Sequence, residues 1–415
     1  SGASQSGFGR TGTVDWQTTI YTNSNSPLTV ESGKGYFLNT TSGTITINLP
    51  AGSAGDIVAL KDYANTWDNN SVTVTPNGSD KIGGSVGSAN LSTESQSVTL
   101  IFADSTKGWL DIHDSTSNVQ SAQYITATGG TVTCTGDFKI HTFTGPGTFC
   151  VSNAGNAAGS NKVDYMVVAG GGGGGGRDHG SGGGAGGYRE SPGSASCYAA
   201  SPLGVSPAVA LSVPATAYPI TVGGGGAGRT VAPCSTGTSG ANSVFSTITS
   251  AGGGAGGGGP GVGLDGGSGG GGKNNNTQKG SGNTPSVSPP QGNDGGIAGY
   301  GSPHYGMGGG GGAGAAGSAG NPSAGGAGGG GVTSSINGTP TARAGGGGGS
   351  SYNGGTAGAG GAGGGGTGTT GQNTNGTAGT DNTGGGGGGG ERSVPSVGGK
   401  NGGSGIVIIR YKFQN

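Results

Sequence analysis

Four cysteines, four histidines and a scatter of aspartates are the side chains of this chain best suited to chemistry, and their spacing limits what that chemistry is. Cys134, Cys150, Cys197 and Cys234 form no Cys-x-x-Cys pair, and no histidine stands at ligand spacing from them, so a zinc centre is not indicated. Disulfides fit better, with three connectivities open; thiols held reduced in the interior are the alternative. His113, His141, His179 and His304 are dispersed, with no Ser or Cys nearby in a nucleophile motif, and no catalysis is assigned to them. His179, in GRDHG beside a glycine run, is a candidate ligand contact, a solvated loop histidine being the simpler reading. Asp62, Asp80 and Asp104 lack an Asp-x-Asp-x-Asp-Gly loop and read as turn aspartates. No metal or cofactor is expected. Asn39, Asn69, Asn77, Asn90, Asn275, Asn337 and Asn375 begin N-x-S/T triplets, most of which chance explains in a chain so rich in Asn, Ser and Thr.

The tyrosines are more suggestive. Tyr188, Tyr198, Tyr218, Tyr300, Tyr305 and Tyr352 stand in loops between glycine blocks, where ring faces either recognise a sugar at the surface or cap layers that have no side chains of their own. Capping is favoured, because a glycine layer needs apolar cover at its margins.

The elements that must position these residues are set by glycine. It makes up 111 of 415 residues, in runs such as 170–176, 256–259, 308–312, 345–349 and 384–390. Glycine loses the most backbone entropy on ordering and brings nothing to a core, so a chain that keeps seven in a row is either disordered or uses the missing side chain. That use is close approach of backbones: extended strands of the polyproline II type, rising ~3.1 Å per residue, pack and exchange hydrogen bonds only where no Cβ intervenes. A mechanical or adhesive role follows. Disorder through charge repulsion is not expected with 8% charged residues and a net charge of −1. Collagen lacks support, with 18 prolines and no Gly-X-Y period. No apolar run reaches the ~18 residues of a membrane span, and the opening SGASQSGFGRTGTVDW has no leader-like basic start or apolar stretch. Twelve acids and 7 bases precede residue 170, and 6 acids and 10 bases follow; without a like-charge cluster these read as scattered solvated charges, and nucleic acid is not an expected partner.

Along the chain, 1–13 reads as an N-terminal arm and 14–118 as a β domain, with short strands at 35–41, 44–50, 56–60, 71–76, 97–102 and 108–112 between turn signals. Val58, Leu60, Val72, Val74, Leu100, Phe102 and Trp109 are its core candidates. Residues 119–169 form a second β segment, in which 138–143 and 148–152 flank Gly145-Pro146-Gly147 as a hairpin, and DYMVV (164–168) is a buried strand. A glycine-rich domain, 170–415, follows. Short extended lead-ins such as TVGGGG, ITSAGGG and ARAGGGGG recur before its runs, and its closing strand GIVIIRY (405–411) is expected to return and pair with DYMVV.

Two groups of segments carry a specific likeness. GYFLNTTSGTITINLPAGSAGDIVALKDYANTW, NSVTVTPNGSDKIGG and TLIFADSTKGWLDI resemble a β domain of phage tail-fibre proteins, particularly those of phages of cyanobacteria. YITATGGTVT, DFKIHTFTGPGTF, VDYMVVAGGGGGGG, NSVFSTITSAGGG and GGSGIVIIRY are similar to the glycine-rich domain often joined to it. The resemblance implies a virion-borne or extracellular fibre component that assembles with copies of itself and touches a host surface. Cys134 and Cys150 stand near the expected hairpin where the likeness usually shows threonine, which suggests a bridge between them contributing about 3 kcal/mol, with Cys197 and Cys234 as the remaining pair.

The expected fold is therefore all-β: a small N-terminal sandwich or solenoid-like domain, a second β segment, and a glycine-rich region with polyglycine packing closed by a C-terminal strand. The expected function is a non-enzymatic structural subunit of a fibre at the virion surface or outside the cell, with itself as partner in an oligomer or helical filament. No heptad stem is visible, so the arm would bridge neighbours. The second reading is a distal adhesin that recognises a host-surface glycan or protein; a depolymerase lacks paired carboxylates in an aromatic groove.

Overall fold

The computed structural model describes residues 14–115, 122–156, 159–176, 179–193, 198–205, 210–229, 236–259, 261–272, 278–299, 301–370, 376–391 and 398–414. The arm 1–13, Cys197, Cys234, Tyr300, Asn275 and Asn375 lie outside them. Two compact units result, Ser1–Gln120 and Ser121–Asn415.

Alternating apolar and polar residues build the first unit. Its strands are β1 (Asp15–Thr22), β2 (Leu28–Thr29), β3 (Lys34–Asn39), β4 (Ile45–Asn48), β5 (Ile57–Asp62), β6 (Val72–Thr75), β7 (Ala89–Leu91), β8 (Ser97–Asp104) and β9 (Gly108–Ser115). They form two sheets, β1-β3-β5-β8-β9 and β2-β4-β6-β7. From β1 to β6 the chain changes sheet at every strand, so β1–β3, β3–β5, β2–β4 and β4–β6 all pair in parallel. A parallel neighbour usually needs a helical crossover; here the strand in the opposite sheet serves as the crossover, which is how a solenoid winds. Antiparallel β6–β7, β5–β8 and β8–β9 then close the two sheets. The sandwich and the solenoid expected from sequence are thus one object. Ile45 and Ile47, Val72 and Val74 point inward by strand alternation and meet Val58, Leu60, Leu100, Phe102 and Trp109 in one core, with Trp67 fully buried among them.

The second unit is layered. Its strands are β10 (Ile125–Thr128), β11 (Thr131–Thr135), β12 (Phe138–Phe143), β13 (Gly147–Ala154), β14 (Lys162–Val168), β15 (Tyr188–Ser191), β16 (Leu211–Ser212), β17 (Ala217–Thr221), β18 (Ser243–Phe245), β19 (Ile248–Ser250), β20 (Val332–Ser334), β21 (Thr341–Arg343) and β22 (Ile406–Lys412). One sheet runs β10-β13-β17-β18-β19, another β11-β12-β22-β14-β15 with β16 also on β14, and β20–β21 form a separate hairpin. DYMVV and the closing strand do pair, antiparallel, from Asp164↔Arg410 to Val168↔Ile406. Both are covered on two faces. Tyr165, Val167, Val407 and Ile409 face the β13–β18 sheet, whereas Met166, Val168, Ile406 and Ile408 join Tyr188, Ile336 and three alanines on the far side. Burial on both faces explains why these strands read as continuous apolar runs.

The hairpin expected across Gly145-Pro146-Gly147 does not form. β12 pairs with β11 and β22, while β13 pairs with β10 and β17, so the Gly-Pro-Gly corner passes the chain from one sheet to the other. Cys134 on β11 and Cys150 on β13 accordingly lie in different sheets, both free and exposed, and the bridge suggested between them is not made.

Beyond the strands, the glycine runs are ordered mainly by backbone hydrogen bonds. Gly170 and Gly173 donate to Ala241 and Thr238, Gly171 and Gly174 to Gly403 and Lys400, and Gly172 and Gly175 to Gly184 and Ser181, all at 2.8–3.0 Å. The partner changes with every residue and recurs every third, which is the three-residue turn of a polyproline II helix. The carbonyls follow the same rule: those of Gly170 and Gly173 accept from Gly253 and Gly256, those of Gly171 and Gly174 from Gly226 and Arg229, and those of Gly172 and Gly175 from Gly387 and Gly390. Run 170–175 thus has six neighbouring segments, antiparallel where it donates and parallel where it accepts. A strand fills only two directions with backbone; this helix fills six, and no direction is left for a side chain.

Candidate functional site

At the far end of run 170–176 the chain turns back through His179, whose φ of +74° is unusual for a residue with a Cβ. The structure brings three of the residues singled out in the sequence together there. The His179 ring lies 5.5 Å from that of Tyr305 and 5.4 Å from that of Tyr352, and the two tyrosines are 6.3 Å apart edge to face. His304 joins them through its Nδ1, 3.1 Å from the Tyr352 carbonyl. Sequence reasoning missed Glu391, which ends the run beginning at 384 and is buried at 2% exposure. Its Oε1 is 3.3 Å from His179 Nδ1, and its Oε2 is 3.5 Å from Ser350 Oγ. No sequence signal joins His179 to Glu391, because their proximity depends on two glycine runs ending side by side. The rim so formed offers aromatic faces, a histidine and a buried carboxylate. That arrangement suits stacking and hydrogen bonding to a ligand.

The remaining tyrosines go elsewhere. Tyr188 is not a loop residue: it lies on β15 at 1% exposure, its ring against the alanine-rich face of the glycine layer and its hydroxyl donating to Glu190 Oε2 at 2.9 Å. Tyr198 is half-buried beside the same cluster, under the Arg410 guanidinium at 5.3 Å. Burial pushes both phenols up, Tyr188 with help from the Glu190 charge. Tyr218 packs on Phe149 and Phe245, and its hydroxyl donates to the Pro214 carbonyl at 3.2 Å. These three cap rather than display, each ring packed beside apolar or cationic neighbours where strands give way to glycine.

Glu190, at 1% exposure, also accepts from Ser201 N at 2.9 Å and Ser334 Oγ at 2.6 Å, so its charge is met by hydrogen bonds. The aspartates accept from backbone amides: Asp104 within its own turn, Asp62 both locally and across to a distant segment, and Asp80 only across to a distant segment, so the turn reading holds fully for Asp104 alone. Asp62 accepts from the amides of Thr66, Trp67 and Ser95 at 3.0–3.2 Å, Asp80 from Gly52 at 2.9 Å, and Asp104 from Thr106 and Lys107 at 2.7–2.8 Å. Among the described residues no group of three His, Cys, Asp or Glu side chains could hold a metal ion, and no helix is long and apolar enough to cross a membrane. His141, fully buried, stands between the Gly129 carbonyl, 2.7 Å from Nδ1, and the Tyr411 hydroxyl, 3.1 Å from Nε2. Burial pushes its pKa down.

Comparison with known proteins agrees with both units. Residues 144–412 match the family described as Glycine-rich domain, and residues 5–112 match that described as Bacteriophage T4 gp9/10-like protein, N-terminal. A curated relative, baseplate wedge protein gp10 of Enterobacteria phage T4, is 34% identical over 90 residues, which is 21% of this chain. The chain spans about 15% of that relative's length. The chain is thus similar to phage tail structural proteins, in line with the resemblance carried by its motifs.

Proposed function

The chain belongs to the glycine-rich domain family, and on that premise we propose that it is a non-enzymatic structural subunit of a fibre, carried on a virion or outside the cell, that assembles with copies of itself. The packing of run 170–175 inside six backbone neighbours carries this reading. Such a bundle cannot flex without breaking hydrogen bonds in every direction, which suits a load-bearing rod better than a catalytic pocket. Similarity of the first unit to a phage baseplate component supports the same conclusion.

Open sheet edges supply a means of assembly. β11 has all five residues exposed and, among the described residues, a strand on one side only. Such an edge accepts an added strand, where backbone hydrogen bonds give affinity and side chains need only avoid clashes. The arm 1–13, rich in Gly, Ser and Thr, has the composition for this. Head-to-tail addition makes a filament when the rotation does not close. Electron microscopy of a chain lacking residues 1–13 tests it: short or absent fibres with the first unit still folded are expected, and fibres of normal length place assembly on other faces.

A second reading has a specific observation behind it. The His179, Tyr305 and Tyr352 rim suits a distal adhesin that meets a host-surface glycan or protein. Images of purified full-length protein separate the two: long filaments with an axial repeat support the fibre subunit, and discrete trimers with one tip support the adhesin.

A further inference from the structure

Where the glycine runs meet strands β15 and β19 lies a cleft of about 240 Å³. Arg189 of β15, Asn242, Thr247 and Thr249 at the β18–β19 hairpin, and Pro285 and Val287 of a later loop line it. We propose that this cleft binds one carboxylate-bearing sugar unit of an acidic polysaccharide, with Arg189 on the carboxylate.

The chemistry of the lining gives the class of ligand. Among the described residues no carboxylate pairs with the Arg189 guanidinium, so a half-buried cation faces the cleft without a counter-charge. Guanidinium presents paired N–H donors that match a carboxylate. Asn242 Oδ1 accepts from Gly252 N at 2.9 Å, which leaves its amide N–H groups directed elsewhere, and the exposed hydroxyls of Thr247 and Thr249 have no partner among the described residues. Opposite these polar groups, Pro285 and Val287 offer an apolar wall for the C–H face of a ring. One charge, several hydroxyl-matching groups and one apolar wall describe a hexuronate better than a phosphate, which has no apolar face, or a neutral sugar, which has no use for the cation. The volume lies under the ~300–1,000 Å³ of pockets for drug-sized ligands, so it admits one ring.

The wall is fixed before any ligand arrives. Asn283 Oδ1 accepts from the amides of Val287 and Gln291 at 3.1 and 3.2 Å, and its Nδ2 donates to the Val287 carbonyl at 3.2 Å. Gln291 Nε2 donates to the Pro285 carbonyl at 2.8 Å, and its Oε1 accepts from Ala251 N at 2.9 Å, tying the loop to the end of β19. A loop held by its own side chains pays little ordering entropy on binding. This site is independent of self-assembly and of the rim, and stands whichever reading of the whole chain holds.

Calorimetric titration of the full-length protein with trigalacturonate, trigalactose and inorganic phosphate tests it. Trigalacturonate is expected to bind in the millimolar range or tighter, trigalactose about tenfold more weakly or worse, and Arg189→Gln to lose about tenfold in affinity with Arg189→Lys recovering part of it. Thr249→Val, on an exposed position, gives an independent arm if Arg189→Gln unfolds, and should weaken trigalacturonate severalfold. No binding of trigalacturonate, equal binding of trigalactose, affinity unchanged in both variants, or phosphate competing with comparable affinity would each overturn the proposal.

Discussion

At Gly172 a single methyl group decides whether the bundle closes. A Cβ there would overlap the Gly254 carbonyl oxygen, while one at Gly224, which is exposed, would meet nothing within 4 Å. Overpacking of a filled interior costs roughly 1–3 kcal/mol, and the neighbour here is backbone hydrogen-bonded in its own turn, so it cannot yield cheaply. Gly172→Ala should therefore destabilise by about 3 kcal/mol or prevent folding, while Gly224→Ala should change stability by less than about 1 kcal/mol, in the stabilising direction. Thermal unfolding of the two variants checks this, and equal effects would mean that the runs do not pack as described. His141 gives a different test. The Gly129 carbonyl can only accept, so Nδ1 carries the proton and Nε2 accepts from Tyr411; a second proton, on Nε2, would turn the Tyr411 hydroxyl from donor to acceptor and leave a charged ring buried away from solvent. Its pKa when folded lies below the ordinary imidazole value of about 6.5. The unfolded chain then takes up the proton more readily, so this stability is fully present above that ordinary value and is lost as pH falls from it through the folded value. Melting temperature should drop between about pH 7 and pH 5 in the native chain, and the drop should shrink in His141→Gln, which keeps a donor and an acceptor. An unchanged slope would assign the pH dependence to other groups.

Strand β22 shows what an element contributes that its residues alone do not. It lies between β12 and β14, with hydrogen-bonded partners on both sides and apolar neighbours above and below. Removing residues 406–415 would uncover both partner strands, and aggregation or misfolding is expected; a soluble truncation with the native melting curve would refute the pairing. Ile408→Ala, a milder change at 0% exposure, should cost about 2–5 kcal/mol. This pairing was legible in the sequence because GIVIIRY and DYMVV are both apolar apart from Arg410 and Asp164, which the register sets opposite each other, and two such strands need each other's company in a sheet covered on both faces. The strands of the first unit were legible by alternation at Ile45, Ile47, Val72 and Val74. Their parallel order was not, since alternation fixes which side chains point inward and says nothing about which strand lies alongside. Gly145-Pro146-Gly147 misled because a corner between two sheets and a turn within one sheet use the same residues. Tyr188 was misplaced because YRES follows glycine and has no apolar alternation, so that its burial depends on Glu190 being satisfied by Ser201 and Ser334 from distant parts of the chain. The rim was half legible: His179, Tyr305 and Tyr352 were singled out, but only the bundle places Glu391 beside them.

Across the whole second unit, the runs interlock so that no one of them can leave alone. Gly172 donates to Gly184, Gly183 donates to Gly387, and Gly387 donates back to Gly172, closing a ring over three separate runs. Each run makes similar contacts to others, and helices of this type have no internal hydrogen bonds to keep them folded in isolation. Local fraying of an α-helix costs only its own bonds; here the loss of one run strips donors and acceptors from up to six others, each a buried backbone group left unpaired. The interior amides should therefore exchange with solvent only when much of the unit opens at once, despite the glycine content that would ordinarily mark a flexible chain. Hydrogen exchange followed by mass spectrometry on the native protein should show peptides covering 170–175, 181–187 and 384–390 protected together, with one shared rate, and released together as denaturant is raised. Exchange of these amides within milliseconds would mean that glycine here is a linker. Widely different rates for the three runs would mean that they are held separately and that the bundle is not one cooperative body.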